Sequence, residues 1–545
     1  MQTRILNPNT DPQAIEAAAA VLKGGGLAVI PTETVYGLAA NALDAAAVAQ
    51  IYVAKGRPSD NPLIVHIAEI EEIYPLVTAV PAKAKQLADA FWPGPLTIIL
   101  PKSDKIPAVT SGGLHTVAIR MPSHPVARAV IKAAGVPLAA PSANISGFPS
   151  PSKPEYAADD MTGRVPVILD GGDCAVGVES TVITLATETP TILRPGGITP
   201  EQIAAVIGEV CVDKAVLQPL ESGSVAASPG MKYKHYSPKT RVQVYKGSPK
   251  GYLRYLRDHK ADGVFALCFE ETAAQCPVPC ITMGKKAEPL TQTQRLFDAL
   301  RELDEAGAVT AIAECPSASG VGLAVCNRLF RAAGFDFIKE APVIGLTGQT
   351  GAGKSAVAAL LAQRGFAVID CDKLAREITE KGSPVLQTLA DAFGGDILTA
   401  DGALNRALLA ERAFADTEKT KLLNAITHPA ILARARQLAF AAGSRNIPAV
   451  IDAALLFQSG ADADCDFTIA VTAPAELRKA RIMARDGISA AAADARIRAQ
   501  EPEAYYTARA DMILLNGQDA ELQALTASVI KQIGESYEIT ENIET

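Results

Sequence analysis

The sequence predicts an α/β protein built from three successive blocks, and three stretches carry that expectation. The apolar run Val343-Ile-Gly-Leu-Thr347 is followed by a glycine-rich loop and then by Val357, Leu360 and Leu361 at helical spacing, which is the order strand, loop, helix. Near the N-terminus a helical pattern (Ile15, Ala18, Val21, Leu22) runs through three glycines at 24–26 into the apolar strand Leu27–Ile30. Between these, strand-like Val242–Tyr245 and Val264–Phe269 precede a helix carrying Leu296, Phe297, Leu300 and Leu303, a small doubly wound pattern.

At 545 residues the chain exceeds one ordinary domain, and about three to four are expected. Periodic sequence gives way to irregular sequence near Ser222–Lys239, rich in Ser, Gly and Pro, and near Glu340–Pro342. The expected divisions are therefore 1–213, a linker at 214–240, then 241–340 and 341–545. Hydrophobic residues make up 48% and charged residues 20%, an ordinary globular balance, and no run nears the roughly 18 apolar residues a membrane helix needs. No charged and then apolar leader opens the chain, so the cytoplasm is the expected compartment. The net charge of −8 argues against a broad nucleic-acid surface, which needs massed Lys and Arg. Nine cysteines are scattered, and the nearest pair, Cys276 and Cys280, has no His or Cys cluster beside it in sequence, so reduced thiols and no zinc are expected. Gly320-Val-Gly322 is a fragment of a dinucleotide loop without its third glycine, and packing explains it better.

The most specific string is Gly348-Gln-Thr-Gly351-Ala352-Gly353-Lys354-Ser355, which fits GxxxxGK[ST]. Chance would produce it about 0.02 times in a chain of this length, so it marks a nucleotide triphosphate site. Gly348, Gly351, Ala352 and Gly353 let backbone N–H groups face phosphate oxygens, Lys354 reaches the outer phosphates, and the Ser355 hydroxyl is placed to ligate Mg²⁺. Downstream, Phe366–Asp372 reads as a second strand ending in two carboxylates, with Asp370 and Asp372 on one side of an extended segment; a plain helix cap by Asp372 is the alternative. Ala449–Asp452 is another apolar strand ending in an acid. Arg478, Arg481 and Arg485 share one helix face, either solvated or closing onto phosphates, with Arg481 as a nucleotide contact and Arg485 as a catalytic cation in the second case.

The first block carries phrases that join Gly, Pro, hydroxyl and basic residues at the ends of apolar runs, where α/β folds gather ligand contacts. These phrases, Pro-Thr-Glu-Thr-Val-Tyr-Gly-Leu from Pro31, Lys-Gly-Arg-Pro-Ser-Asp-Asn-Pro-Leu from Lys55, Ile-Arg-Met-Pro from Ile119, Pro-Ser-Ala-Asn from Pro141, Gly-Val-Glu-Ser-Thr from Gly177 and Ile-Leu-Arg-Pro-Gly-Gly from Ile192, resemble the YrdC family in their order over residues 1 to about 210. Ser228–Pro238 and Gly322–Leu329 further resemble the long form of that family, L-threonylcarbamoyladenylate synthase, with a Rossmann-like accessory domain. The resemblance implies a twisted α/β sheet domain that joins L-threonine, bicarbonate and ATP into threonylcarbamoyl-AMP and pyrophosphate. It implies that Lys55, Arg57, Ser142, Asn144, Ser180 and Arg194 face the nucleotide, with Lys55 and Arg57 catalytic, and that Thr32, Tyr36, His66, Arg120 and Thr181 surround threonine and carbamate. It also implies that the segment with Tyr233, His235 and Tyr236 folds over the site as a lid, Tyr236 contacting nucleotide. His66 receives no proton-transfer role.

In the last block, Thr427-His428-Pro429, Leu455-Leu-Phe457 and the run from Arg496 to Asn516, with the phosphate loop, resemble dephospho-CoA kinase over residues 343 to about 535. The resemblance implies a P-loop domain with a parallel sheet, transfer of the ATP γ-phosphate to dephospho-CoA, Asp372 as base, and Arg376 and His428 facing the acceptor. The chain departs from that family at Ala454 and Gln458, where Pro and Glu are frequent. Together the resemblances imply a fused bifunctional enzyme using ATP and Mg²⁺, without stable nucleic-acid binding beyond a weak tRNA contact, and with a downstream tRNA threonylcarbamoyl-transfer complex as implied partner. The alternative is a metabolite kinase preceded by a non-catalytic nucleotide- or RNA-binding module.

Overall fold

Short apolar runs of the sequence become the strands of three sheets. The computed structural model describes residues 1–58, 61–219, 236–517 and 519–537. These cluster into two units, Met1–Tyr245 with His259–Ile338, and Lys246–Asp258 with Lys339–Thr545. Among the described residues no helix is long and apolar enough to cross a membrane.

The first unit opens with β1 (Arg4–Leu6), β2 (Ala28–Ile30), β3 (Gly37–Asn41), β4 (Ile64–His66), β5 (Leu96–Pro101), β6 (Thr116–Arg120), β7 (Leu138–Ala139), β8 (Val167–Leu169), β9 (Thr181–Thr184), β10 (Thr191–Arg194) and β11 (Cys211–Val212). They form one mixed sheet in the order β1-β8-β2-β3-β7-β4-β6-β5-β9-β10-β11. Register matters more than order for the site. His66 pairs with Arg120 across parallel β4 and β6, and Thr97 pairs with Arg120 across antiparallel β5 and β6, so the site residues His66 and Arg120 share one row with Thr97. A bridge between Gly37 and Ser142 draws the Pro141–Asn144 loop to the same edge.

The same unit holds a second sheet of β12 (Arg241–Lys246), β13 (Val264–Cys268), β14 (Cys280–Thr282), β15 (Thr310–Glu314) and β16 (Phe337–Lys339), ordered β14-β13-β15-β12-β16. Pairing is parallel from β14 through β12, as the alternation of strands and helices requires. The helix Gly322–Ala332 is buried along its whole length, so its polar residues need partners inside the protein. Asn327 donates to Val216 O at 2.6 Å, Arg331 to Ala215 O at 2.9 Å, and Arg328 pairs with Glu179 at 2.9 Å. Gly322 starts this helix, where a Cβ would lie 2.2 Å from Ser317 O, so its glycine serves close packing.

The second unit is a five-stranded sheet of β17 (Val343–Gly348), β18 (Ala367–Asp370), β19 (Ala449–Asp452), β20 (Phe467–Thr472) and β21 (Met512–Leu515), ordered β18-β19-β17-β20-β21. Every pairing is parallel, and β17 is buried at all six positions, which explains its unbroken apolar sequence. Asp370 and Asp452 are register partners at neighbouring strand ends. The helix Pro249–Asp258 packs in this unit: Arg254 holds both oxygens of buried Asp466 at 3.0 and 3.1 Å, and Arg257 reaches Asp464 at 3.4 Å.

One expectation is corrected here. Asp370 and Asp372 do not lie together on an extended segment: β18 stops at Asp370, whose carboxylate accepts from the backbone N–H of Asp372 and Lys373 at 3.0 and 3.1 Å and starts the helix Cys371–Glu377. An aspartate at a strand end caps the next helix readily, because it satisfies donors that otherwise lack partners. Asp370 is therefore the cap, and Asp372 sits in the first helical turn.

Candidate active sites

In the first unit, the strand ends and the loops after β2 and β7 converge on a cavity of about 560 Å³ including its mouth. Its lining contains Thr32, Arg57, His66, Arg120, Ser142, Ser180 and Arg194, seven residues expected from the sequence, together with Thr34 and Glu179. Three arginines against one carboxylate make the wall electropositive. The remaining expected residues lie behind the wall. Lys55 is buried, its ammonium donating to Ser142 O and to Asn144 O (2.5 Å) and Oδ1 (3.2 Å), so it braces the Pro141–Asn144 loop from beneath. Asn144 accepts from the Ser142 hydroxyl at 2.6 Å and donates to Ile145 O and Phe148 O. Tyr36 donates to Gly172 O at 2.7 Å, and Thr181 donates to Ile198 O at 2.6 Å.

Each charged group in the wall has a specific neighbour. Arg120 pairs with Glu33 at 2.7 Å and donates to Thr34 at 2.9 Å, and both charged side chains are buried. Burial works against the Glu33 carboxylate, but Arg120 holds it below the ordinary carboxylate range. Burial, reinforced by Arg120, pushes His66 down to about 3, so the imidazole is neutral at physiological pH, with Nδ1 3.2 Å from Ile64 O. Burial and then Arg57 push the Lys55 ammonium well down. Arg194 donates to Ser180 O at 3.1 Å and Ser180 Oγ at 3.2 Å, and burial lowers it to about 10.

Glu179 is the electrostatic centre of the wall. Burial raises its carboxyl, yet Arg328, then Arg194 and the Ser150 hydroxyl (2.6 Å), hold it down to about 2. Arg328 also donates to Glu179 O and Pro195 O, so the helix Gly322–Ala332 fastens both loops that carry Ser180 and Arg194. Tyr236 is buried in the apolar core of the second sheet, its ring 5.1 Å from Phe297 and beneath the Arg328 guanidinium at 5.7 Å. Tyr233, His235 and the rest of the lid segment from Ser228 up to His235 lie outside the described residues, as do Ser59 and Asp60. Sequence reasoning assigned no role to Glu33, Thr34, Glu179 or Arg328; the lone carboxylate in each of the phrases from Pro31 and from Gly177, which carry no Lys or Arg, was the available signal.

In the second unit, the loop Gln349–Gly353 joins β17 to the helix Lys354–Gln363. Gly351 and Gly353 have φ of 81° and 98°, and a Cβ on Gly353 would lie 2.0 Å from Asn516 Nδ2, so both positions require glycine. Asn516 donates to Ala352 O at 2.8 Å, Gln500 accepts from Thr350 N at 2.8 Å, and Arg478 donates to Gln349 Oε1 at 2.6 Å and Thr350 O at 3.1 Å. Arg481 lies 3.5 Å from Gly351 O and Ala352 O, over the loop, while Arg485 pairs with Asp486 at 2.7 Å on the exposed side. The Lys354 ammonium contacts the Asp452 carboxylate. Burial raises Asp452, Lys354 counters it, and the nearby carboxylates of Asp370 and Asp372 raise it further.

A separate cavity of about 680 Å³ beside the loop is lined by Asp372, Thr427, His428, Ala454 and Leu455, among others. It brings Asp372 and His428 together, while Arg376 is exposed in the same helix as Asp372 and outside the lining. Burial pushes the His428 imidazole down. Gln458 stands outside that lining and hydrogen-bonds Tyr506, so its amide has a structural partner.

Comparison with known proteins gives each unit a family. Residues 20–196 match the family described as telomere recombination, 198–334 the threonylcarbamoyl-AMP synthase C-terminal domain, and 342–521 dephospho-CoA kinase. Threonylcarbamoyl-AMP synthase of Bacillus subtilis is 49% identical over 328 residues, 59% of this chain and 94% of the relative. Dephospho-CoA kinase of Anaeromyxobacter dehalogenans is 45% identical over 175 residues, 32% of this chain and 83% of the relative. The crystal structure of P. abyssi Sua5 complexed with L-threonine is 43% identical, covers 62% of this chain and 99% of its own, and superposes with a TM-score of 0.58. Both sets of relatives are enzymes by name, so a kinase preceded by a non-catalytic module is not favoured. The chain belongs to the threonylcarbamoyl-AMP synthase family in its N-terminal part and to the dephospho-CoA kinase family in its C-terminal part.

Proposed function

We propose that the first unit joins L-threonine, bicarbonate and ATP to give threonylcarbamoyl-AMP and pyrophosphate, and that the second transfers the γ-phosphate of ATP to the ribose 3′-hydroxyl of dephospho-CoA. The observation that carries the first half is the convergence of Arg57, Arg120 and Arg194 with the hydroxyls of Thr32, Ser142 and Ser180 on one cavity. Displacement at an α-phosphorus needs cations on developing charge more than a base. Arg57 and Arg194 serve the phosphates, Ser142 and Ser180 add neutral donors, and Arg120 with Thr32 and Thr34 receives the amino-acid carboxylate. His66 shapes the pocket as a neutral imidazole and takes no proton.

In the second unit, the loop N–H groups, Lys354 and Arg481 hold the ATP phosphates, and Asp372 accepts the proton of an acceptor hydroxyl positioned by His428 and Arg376. The hydroxyl of Ser355, exposed in the first helical turn, and the carboxylates of Asp370 and Asp452 on adjacent strand ends form the hard oxygen set that suits Mg²⁺. Mg²⁺ bound there supplies neutralisation of phosphate charge. Arg485, paired with Asp486 in this state, reaches phosphate only by leaving that partner.

The test uses the whole chain. Arg57→Ala abolishes pyrophosphate release that depends on both threonine and bicarbonate and spares phosphorylation of dephospho-CoA, while Lys354→Ala does the reverse. Loss of both activities from either substitution would overturn the assignment of two independent sites.

A further inference from the structure

The second sheet of the first unit gathers three thiols that neither reaction uses. Cys268 ends β13, Cys280 begins the adjacent β14, and Cys276 follows the short helix Glu270–Ala273 between them. The sequence shows only the Cys276–Cys280 pair as neighbours; the parallel pairing of β13 with β14 adds Cys268. All three Sγ atoms lie within 4.8 Å of one another, and those of Cys268 and Cys276 are 3.7 Å apart. A tetrahedral thiolate site with metal–sulfur bonds of about 2.3 Å has sulfur–sulfur edges of about 3.8 Å. A disulfide needs about 2.05 Å, so the spacing suits a shared ion better than a covalent bond.

Access agrees with that spacing. Cys268 is buried and Cys276 and Cys280 are half-buried, so protein closes one side of the cluster and leaves another approachable. None of the three lines either cavity described above.

We propose that Cys268, Cys276 and Cys280 form a tri-thiolate site for a thiophilic divalent cation of the zinc class, with a fourth position open to water. Binding exchanges the three S–H bonds for three metal–sulfur bonds, and the three protons pass to the buffer. The ion ties edge strand β14 and the preceding connection to β13, a structural role separate from ATP chemistry.

The full chain, reduced and stripped of metal with a chelator, is titrated with Co²⁺. The expected result is one equivalent bound with sulfur-to-cobalt charge-transfer absorption and the visible bands of tetrahedral cobalt, displaced by Zn²⁺. Cys276→Ser and Cys280→Ser each weaken Co²⁺ binding by at least about 10-fold, since losing even an outer-shell partner of a metal ligand costs that much. A measurement on the unaltered chain removes dependence on variant folding: Zn²⁺ protects Cys276 and Cys280 from alkylation, read by peptide mass, while exposed Cys211 still reacts. An unchanged cobalt spectrum in both variants, absence of protection by Zn²⁺, or a Cys268–Cys276 disulfide in freshly purified unreduced protein each overturns the proposal.

Discussion

Replacing Arg328 by Met removes the cation that faces Glu179 while keeping most of the buried apolar volume. In the unaltered chain the Glu179 carboxyl is held at about 2 against an ordinary 4.5, and that difference corresponds to about 3 kcal/mol of stability at neutral pH. The group's folded value is depressed, so this contribution is fully present above about pH 4.5 and is lost as pH falls from there toward 2. Without Arg328, burial dominates and Arg194 offsets only part of it, so Arg328→Met is expected to cost about 3 kcal/mol, at the lower end for breaking a buried ion pair. The chain has one tryptophan, Trp92, buried in the first unit, so urea unfolding followed by its fluorescence reports that unit within the whole protein. Two further signatures separate the charge effect from lost packing. The deficit shrinks when unfolding is measured below pH 4.5, and adding Glu179→Gln to Arg328→Met recovers most of it. A loss under about 1 kcal/mol at neutral pH, or the same loss at acidic and neutral pH, would refute the reasoning.

Gly353→Ala, which sets a Cβ against Asn516 and asks alanine to adopt a φ of 98°, should lower bound ATP by one equivalent in calorimetry while synthase activity persists. Asp452→Asn removes the carboxylate that Lys354 contacts and should reduce kcat/KM of the kinase reaction by at least about 10-fold, with the pyrophosphate-release assay unchanged. His66, held near 3, should show no titration between pH 5 and 9 by NMR of its ring protons; because its folded value lies below the ordinary 6.5, the unfolded chain binds the extra proton and stability falls as pH drops below that value.

The second unit was the more legible from sequence, and the reason is local. A phosphate loop is specified by glycines whose backbone angles other residues avoid, so its string implies the strand before it and the helix after it. Gly353 at φ 98° and the six buried positions of β17 are the structural counterparts of that string. Where local signals were ambiguous the expectation failed: Ala367-Val-Ile-Asp-Cys-Asp372 alternates well enough to extend a strand, but the carboxylate of Asp370 caps the following helix two residues sooner. The helix Pro249–Asp258 shows the opposite limit. Its amphipathic pattern calls for a partner without naming one, and the ion pairs of Arg254 with Asp466 and Arg257 with Asp464 link positions about 200 residues apart.

The synthase cavity was legible as a set of residue types and illegible as an arrangement. Lys55 and Arg57 are two residues apart, yet Arg57 lines the cavity while the Lys55 ammonium turns inward to the carbonyls of Ser142 and Asn144. That split follows from the helix Ala45–Lys55 ending at Gly56 in a left-handed conformation, which reverses the chain between them. The larger gap concerns carboxylates. A pocket for ATP and an amino acid invites a count of cations, and such a count passes over Glu33 and Glu179, whose negative charge would repel phosphate. Their partners explain them: Glu33 fixes the orientation of Arg120, and Glu179 draws Arg328 across 149 residues of sequence to clamp the loops bearing Ser180 and Arg194. Buried arginines need a counter-charge to hold one geometry in the absence of ligand, and Glu33 behind the wall and Glu179 within it, its charge taken up by Arg328 and Arg194, supply it. Such pairs are visible only once register and packing bring distant segments together, because neither member has a sequence neighbour that requires it.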